Sequence, residues 1–110
     1  MDNSIKCRIH TFRFGENLSI KNVDSLVPEI DQYLNSKNLK KVILDMSNVL
    51  SCDSYGITFL LQCYRKAKNN QKELVLYKLN PFLNNLLNNC GLLNVFSITD
   101  ELNDLEQNTI

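Results

Sequence analysis

The chain has 110 residues, enough for one domain with a single core and too few for two. Twelve basic residues balance twelve acidic ones, so the formal net charge is zero, which argues against a general nucleic-acid binder relying on counterion release. No apolar run approaches the roughly 18–20 residues that cross a bilayer, and the opening MDNSIKCR lacks the apolar core of a secretory signal; a cytoplasmic protein without direct membrane insertion is expected.

Residues 5–14 (IKCRIHTFRF) alternate in part, with Ile5, Cys7 and Ile9 on one side and Lys6, Arg8 and His10 on the other. Phe12 and Phe14 fall on the opposite parity from Ile9, so a bulge, bend or tight turn is expected near His10-Thr11. The reading is one long bent strand or a very short hairpin, ending at Gly15. Residues 20–35 place Val23, Leu26, Val27, Ile30 and Leu34 at helical spacing. Pro28 is comfortable only in a first turn, so a start near Asp24-Ser25 suits it, whereas a start at Asn22 implies a distortion.

Val42–Met46 is expected as a central strand buried on both faces. A polar connection leads to Asp53-Ser54-Tyr55-Gly56, after which Ile57, Leu60, Leu61, Tyr64 and Ala67 recur at helical spacing and predict a helix over 54–69. Arg65, Lys66 and Lys68 suit the negative end of that helix's dipole. Residues 73–79 (ELVLYKL) predict another strand. Asn80-Pro81 supplies an N-cap and a first helical proline for a helix carrying Phe82, Leu83, Leu86, Leu87 and Cys90 and stopping at Gly91. Val95–Ile98 predicts a short strand, and Asp100 caps a last helix with Leu102 and Leu105. Alternation of strands and helices argues for a mostly parallel sheet with right-handed crossovers.

The four cysteines, Cys7, Cys52, Cys63 and Cys90, form no C-x-x-C pair, and His10 is the only histidine. No metal site is expected, and the thiols read as small buried groups in a reducing compartment, Cys52 beside the polar turn being the partly exposed exception. With three glycines, Gly15, Gly56 and Gly91, the chain has no phosphate-cradling loop and no cofactor is expected.

The strand-to-helix turn is where chemistry concentrates. Asp53 and Ser54 together read first as a helix cap. Gly56 is costly inside a helix, which points to close backbone packing or to room for a partner at Ser54. A nucleophile elbow would need a glycine two residues before the serine and a histidine base, and the chain offers Cys52 and a distant His10, so no catalytic residue is expected.

As a set, the segments VILDMSNV, CDSYGI, ELVLYKLNP and CGL resemble the STAS domain, the module shared by bacterial anti-sigma factor antagonists and sulfate transporters. The likeness covers about residues 14–105 of a single domain over 1–110. It implies an α/β fold with a mixed, mostly parallel sheet and helices mainly on one face. In antagonists of that family, the serine after the aspartate is phosphorylated by an anti-sigma factor that is also a serine kinase, and a serine phosphatase resets the switch. The resemblance therefore implies Ser54 as phosphoacceptor and Asp53, Ser54, Tyr55, Gly56 and Ile57 as the partner-binding segment of a non-enzymatic regulator. The alternative it carries is a non-phosphorylated scaffold in a signalling or membrane-transport complex. Tyr55 stands where the family usually has Ser or Thr, Leu50-Ser51-Cys52 where an aromatic residue precedes the aspartate, and Asn17-Leu18-Ser19 where Leu-Asp is usual.

Overall fold

A computed structural model describes residues 8–102. The described elements are β1 (Ile9–Arg13), α1 (Val23–Leu34), β2 (Lys41–Asp45), α2 (Ser54–Asn69), β3 (Glu73–Tyr77), α3 (Pro81–Asn89) and β4 (Ser97–Thr99). The strands lie in the order β1-β2-β3-β4, and each neighbouring pair is parallel. The described strands all run the same way, in keeping with the mostly parallel sheet that the family resemblance implies. Each connection steps one strand onward with its helix on the same face, so the three crossovers share one hand.

Register explains the phase break in β1. Phe12 aligns with Leu44 and Leu76, while Thr11 aligns with Ile43 and Val75. Phe12 and Phe14 pack with the helices in the main core, whereas Ile9 joins Ile43 and Val75 in a second cluster free of helix residues. The opposite parities serve two faces of one five-residue strand, so the expected bulge or hairpin is not found among residues 8–14; residues 5–7 lie outside the described chain. The helices are on one face throughout: Ile30, Leu34, Leu60, Cys63, Leu83 and Leu87 share the core with Val42, Leu44, Leu74 and Leu76.

In α1, Asn22 precedes the first helical residue, and Pro28 lies inside the helix, so the start that implies a distortion is the one adopted. Pro28 has no N–H to give the Asp24 carbonyl, and both residues are exposed, so losing that hydrogen bond costs less than it would in the core. Lys66 reaches Asp31 at 2.7 Å and ties α2 to α1. The end of α3 is closed by the Gly91 N–H on the Asn88 carbonyl (3.0 Å) and the Leu92 N–H on the Leu87 carbonyl (2.8 Å). That closure needs the positive φ of 72° at Gly91. β4 begins two residues later than the pattern suggests because Phe96 turns into the core against Tyr64 instead of pairing in the sheet. Asp100 to Leu102 are not helical, and Leu105 of the expected last helix lies outside the described residues.

Candidate functional site

Three loops leave the same ends of the parallel strands: 14–22 after β1, 46–53 after β2 and 78–80 after β3. Short polar side chains fasten them to one another. The Asn17 Oδ1 accepts the N–H groups of Leu50 (2.7 Å) and Ser51 (3.1 Å). The Asn80 Nδ2 donates to the carbonyls of Val49 (3.3 Å) and Leu50 (3.1 Å), while its Oδ1 accepts the Leu83 N–H at 2.8 Å and caps α3. Under these loops Asp45, 2% exposed, accepts from Arg13 Nε (3.0 Å) and from the Ser47 N–H (2.9 Å) and hydroxyl (2.7 Å). Burial pushes the Asp45 carboxyl up, but the hydrogen bonds from Ser47 and Arg13 outweigh it and hold the group below the usual carboxylate range.

Asp53 is the hub. Its Oδ1 accepts the Gly56 N–H at 3.0 Å as the N-cap of α2, and its Oδ2 accepts the Ile20 N–H at 3.1 Å, joining the helix start to the first loop. The Gly56 hydrogen bond is the main reason its carboxyl titrates below the usual value, with Ile20 assisting, so Asp53 is ionised near neutral pH. Backbone pairing reinforces the junction: Leu18 and Cys52 form an isolated parallel bridge, and the Asp53 N–H reaches the Leu18 carbonyl at 3.2 Å.

That junction decides the residue at position 56. A Cβ there would stand 2.7 Å from the Leu18 carbonyl oxygen, 2.8 Å from the Cys52 Cβ and 2.9 Å from the Leu18 Cβ. Gly56 is therefore buried close packing, and of the two readings of this glycine the first holds. Ile57 is half-buried against the core.

Ser54 is exposed at the first position of α2, and its hydroxyl has no partner among the described residues. The capping role read for Asp53 and Ser54 together is performed by Asp53 alone. His10 lies near the start of β1, stacked on Tyr33 at 3.8 Å and 12°, with Ser54 beyond the opposite ends of the strands. The geometry needed for a serine–histidine pair is not present between them.

The end of the sheet that carries Ser54 also exposes apolar side chains. The four exposed large hydrophobic side chains among the described residues are Ile20 (55% exposed), Leu50 (66%), Tyr55 (53%) and Phe82 (56%). Tyr55 and Phe82 sit in the first turns of α2 and α3, and Ile20 and Leu50 are carried by the loops that Asp53, Asn17 and Asn80 fasten. Composition shows none of this beyond Tyr55, because Ile20, Leu50 and Phe82 resemble core residues in sequence. Of the polar fasteners, the sequence reads Asn80 only as a helix cap and Asn17 only as part of Asn17-Leu18-Ser19.

The cysteines divide in the same way. Cys63 is buried and Cys52 half-buried, as read, but Cys90 is exposed at the end of α3, correcting the expectation of a buried thiol. Burial pushes Cys63 to about 12 and, with the neighbouring Asp53 charge, Cys52 to about 11. Cys7 lies outside the described residues. Among the described residues no group of three or more His, Cys, Asp or Glu is placed to hold a metal, and no helix is long and apolar enough to cross a membrane.

Solved structures share the fold. The Thermotoga maritima protein TM1081, assigned as an anti-sigma factor antagonist, matches with a TM-score of 0.80 at 19% identity over 90% of this chain and 85% of its own. The Bacillus anti-sigma factor antagonist SpoIIAA, solved in unphosphorylated and phosphorylated forms, matches in the first form with a TM-score of 0.68 at 13% identity over 89% and 84%. A sulfate transporter family protein from Wolinella succinogenes matches with a TM-score of 0.74 at 18% identity over 86% and 78%. A family model for the STAS domain matches residues 2–105. On that match, and on the parallel sheet with its one-sided helices, the chain belongs to the STAS domain family.

Proposed function

We propose that this chain is a partner-switching regulator of the anti-sigma factor antagonist kind, with Ser54 as the phosphoacceptor and the apolar rim around it as the docking surface. A serine kinase that is itself an anti-sigma factor binds that rim, and a serine phosphatase restores the hydroxyl. The observation that carries the reading is the Ser54 hydroxyl, exposed and unpartnered while its neighbour Asp53 does the capping. The chain acts by binding and not by catalysis.

Charge explains the switch. The loops at this end, 14–22, 46–53, 78–80 and 100–102, carry Glu16, Asp53, Asp100 and Glu101 against Lys21 and Lys78. Phosphate adds about −1.5 to −2 charges beside an ionised Asp53. A partner that has matched Leu50, Tyr55 and Phe82 then faces repulsion and the desolvation of a dianion. Within the chain the start of α2 tolerates the group, since a helix N-terminus favours negative charge. Affinity falls while the fold stays.

The exposed Tyr55 and Leu50 favour a second reading, in which the same surface docks a partner without phosphorylation, as a scaffold in a signalling or membrane-transport complex. Calorimetry with the cognate serine kinase separates the two. The switch requires Ser54→Ala to bind like wild type and Ser54→Glu to bind at least about tenfold more weakly, a difference of ~1.4 kcal/mol. Equal binding by all three forms, combined with loss of binding in Leu50→Ser, supports the scaffold.

A further inference from the structure

The zero net charge conceals a polarity along the strands. The loops that enter the strands, 35–40, 70–72 and 90–96, carry Lys37, Lys40 and Lys72 and not one carboxylate. Two of these loops lie side by side across the entrance to β2 and β3 and enclose a cleft of about 320 Å³. Its polar lining consists of Lys37, Lys40, Lys72, Asn35, Asn70 and Gln71. Ammonium and amide groups line this cleft, and acids do not.

The cleft is held open by the chain itself. The Lys72 ammonium donates to the carbonyls of Ser36 and Leu39, and the Asn70 Nδ2 donates to the Leu34 carbonyl at 2.7 Å and to Asn35 Oδ1 at 3.3 Å. These bonds close the end of α1 onto the end of α2 and leave Lys72 fixed in the wall. The Lys37 and Lys40 ammonium groups have no partner among the described residues. Glu73, the first residue of β3, pairs with Lys41 at 3.8 Å. Burial lowers the Lys72 pKa, and the charge of Lys40 lowers it further.

We propose that this cleft is a binding site for a small, multiply charged phosphate compound, held by Lys37 and Lys40 against the fixed Lys72 ammonium. Its volume is at the small end of ligand sites, which run from about 300 Å³. Its concave form suits a compact oligoanion better than an extended polymer. Two mobile ammonium groups donate to phosphate oxygens as point charges, and the amides of Asn35 and Gln71 supply further hydrogen-bonding groups at the rim. The site is at the far end of the sheet from Ser54, so it stands whether or not Ser54 is phosphorylated.

The test is a titration of the isotopically labelled full chain with sodium tripolyphosphate, followed by amide NMR. Saturable shifts are expected at residues 35–40 and 70–72. The Lys37→Gln/Lys40→Gln variant should bind at least about tenfold more weakly with an unchanged melting temperature, and Lys37→Arg/Lys40→Arg should retain binding. Lys72 is left alone because it holds the α1 terminus. Sedimentation with phosphatidylcholine vesicles, with and without phosphatidylinositol bisphosphate, identifies the source. Binding of free tripolyphosphate assigns a soluble compound, and binding only to the phosphoinositide vesicles, through the same two lysines, assigns a lipid headgroup. The proposal is overturned if neither form binds, or if shifts spread equally to Lys21 and Lys78 and survive in the glutamine variant.

Discussion

The Asp53 carboxylate accepts the Gly56 N–H at 3.0 Å and leaves the serine between them with an unused hydroxyl. One residue caps the helix, another lets it approach the Leu18–Cys52 bridge, and the Ser54 hydroxyl is left exposed.

Gly56→Ala is expected to destabilise the chain. In an open helix the change would gain about 1 kcal/mol in propensity. Here the new Cβ meets the Leu18 carbonyl oxygen at 2.7 Å, and backbone atoms cannot swing away. Overpacking of that kind costs about 1–3 kcal/mol. Urea denaturation should show a lower midpoint with an unchanged slope.

Asn80 gives a sharper contrast. Asn80→Asp keeps the oxygen that caps Leu83 but replaces the amide donor with an oxygen facing the Val49 and Leu50 carbonyls. A loss of about 1–3 kcal/mol is expected, the cost of leaving such acceptors unpaired. Because those carbonyls belong to the loop carrying Leu50, amide exchange across residues 47–53 should quicken as well. A variant as stable as wild type would show that this fastening is immaterial.

Asp45 sets an acid limit. Its carboxyl titrates lower in the folded chain than the ordinary value near 4 found in unfolded chains. The group therefore contributes stability that is fully present above about pH 4 and is lost as pH falls through the folded value. Melting temperatures followed from neutral pH downward should drop in that acid range, and Asp45→Asn should flatten the drop while lowering stability at pH 7.

Thiol labelling should follow exposure and ionisation. In a Cys7→Ser background, exposed Cys90 is expected to react first with a disulfide reagent at mildly alkaline pH. Cys52, pushed to about 11, should lag, and Cys63, pushed to about 12 in the core, should wait for unfolding. Rapid labelling of Cys63 in the native chain would contradict the packing of α2.

The sequence was most legible where local chemistry and tertiary structure agree. The limits of α2 could be read because Asp53 caps its start and the apolar spacing persists to Ala67. The closure of α3 at Gly91 was equally plain. Where long-range packing decides, local pattern misled. Ile9 and Phe12 fall on opposite parities because the strand carries apolar side chains on both faces, which looks like a bulge when only the chain is in view. Pro28 sits inside α1 because that turn faces solvent. Ser54 could be found from its turn, but the rim could not, since exposure of Ile20, Leu50 and Phe82 depends on loops fastened from three separate strands.

The most direct measurement is phosphosite mapping after the full chain is incubated with its cognate serine kinase and ATP. The account predicts one phosphate, on Ser54, no incorporation in Ser54→Ala, and amide NMR shifts confined to the start of α2 and the neighbouring loops. Phosphate elsewhere, or labelling of Ser54→Ala at the wild-type rate, would contradict it.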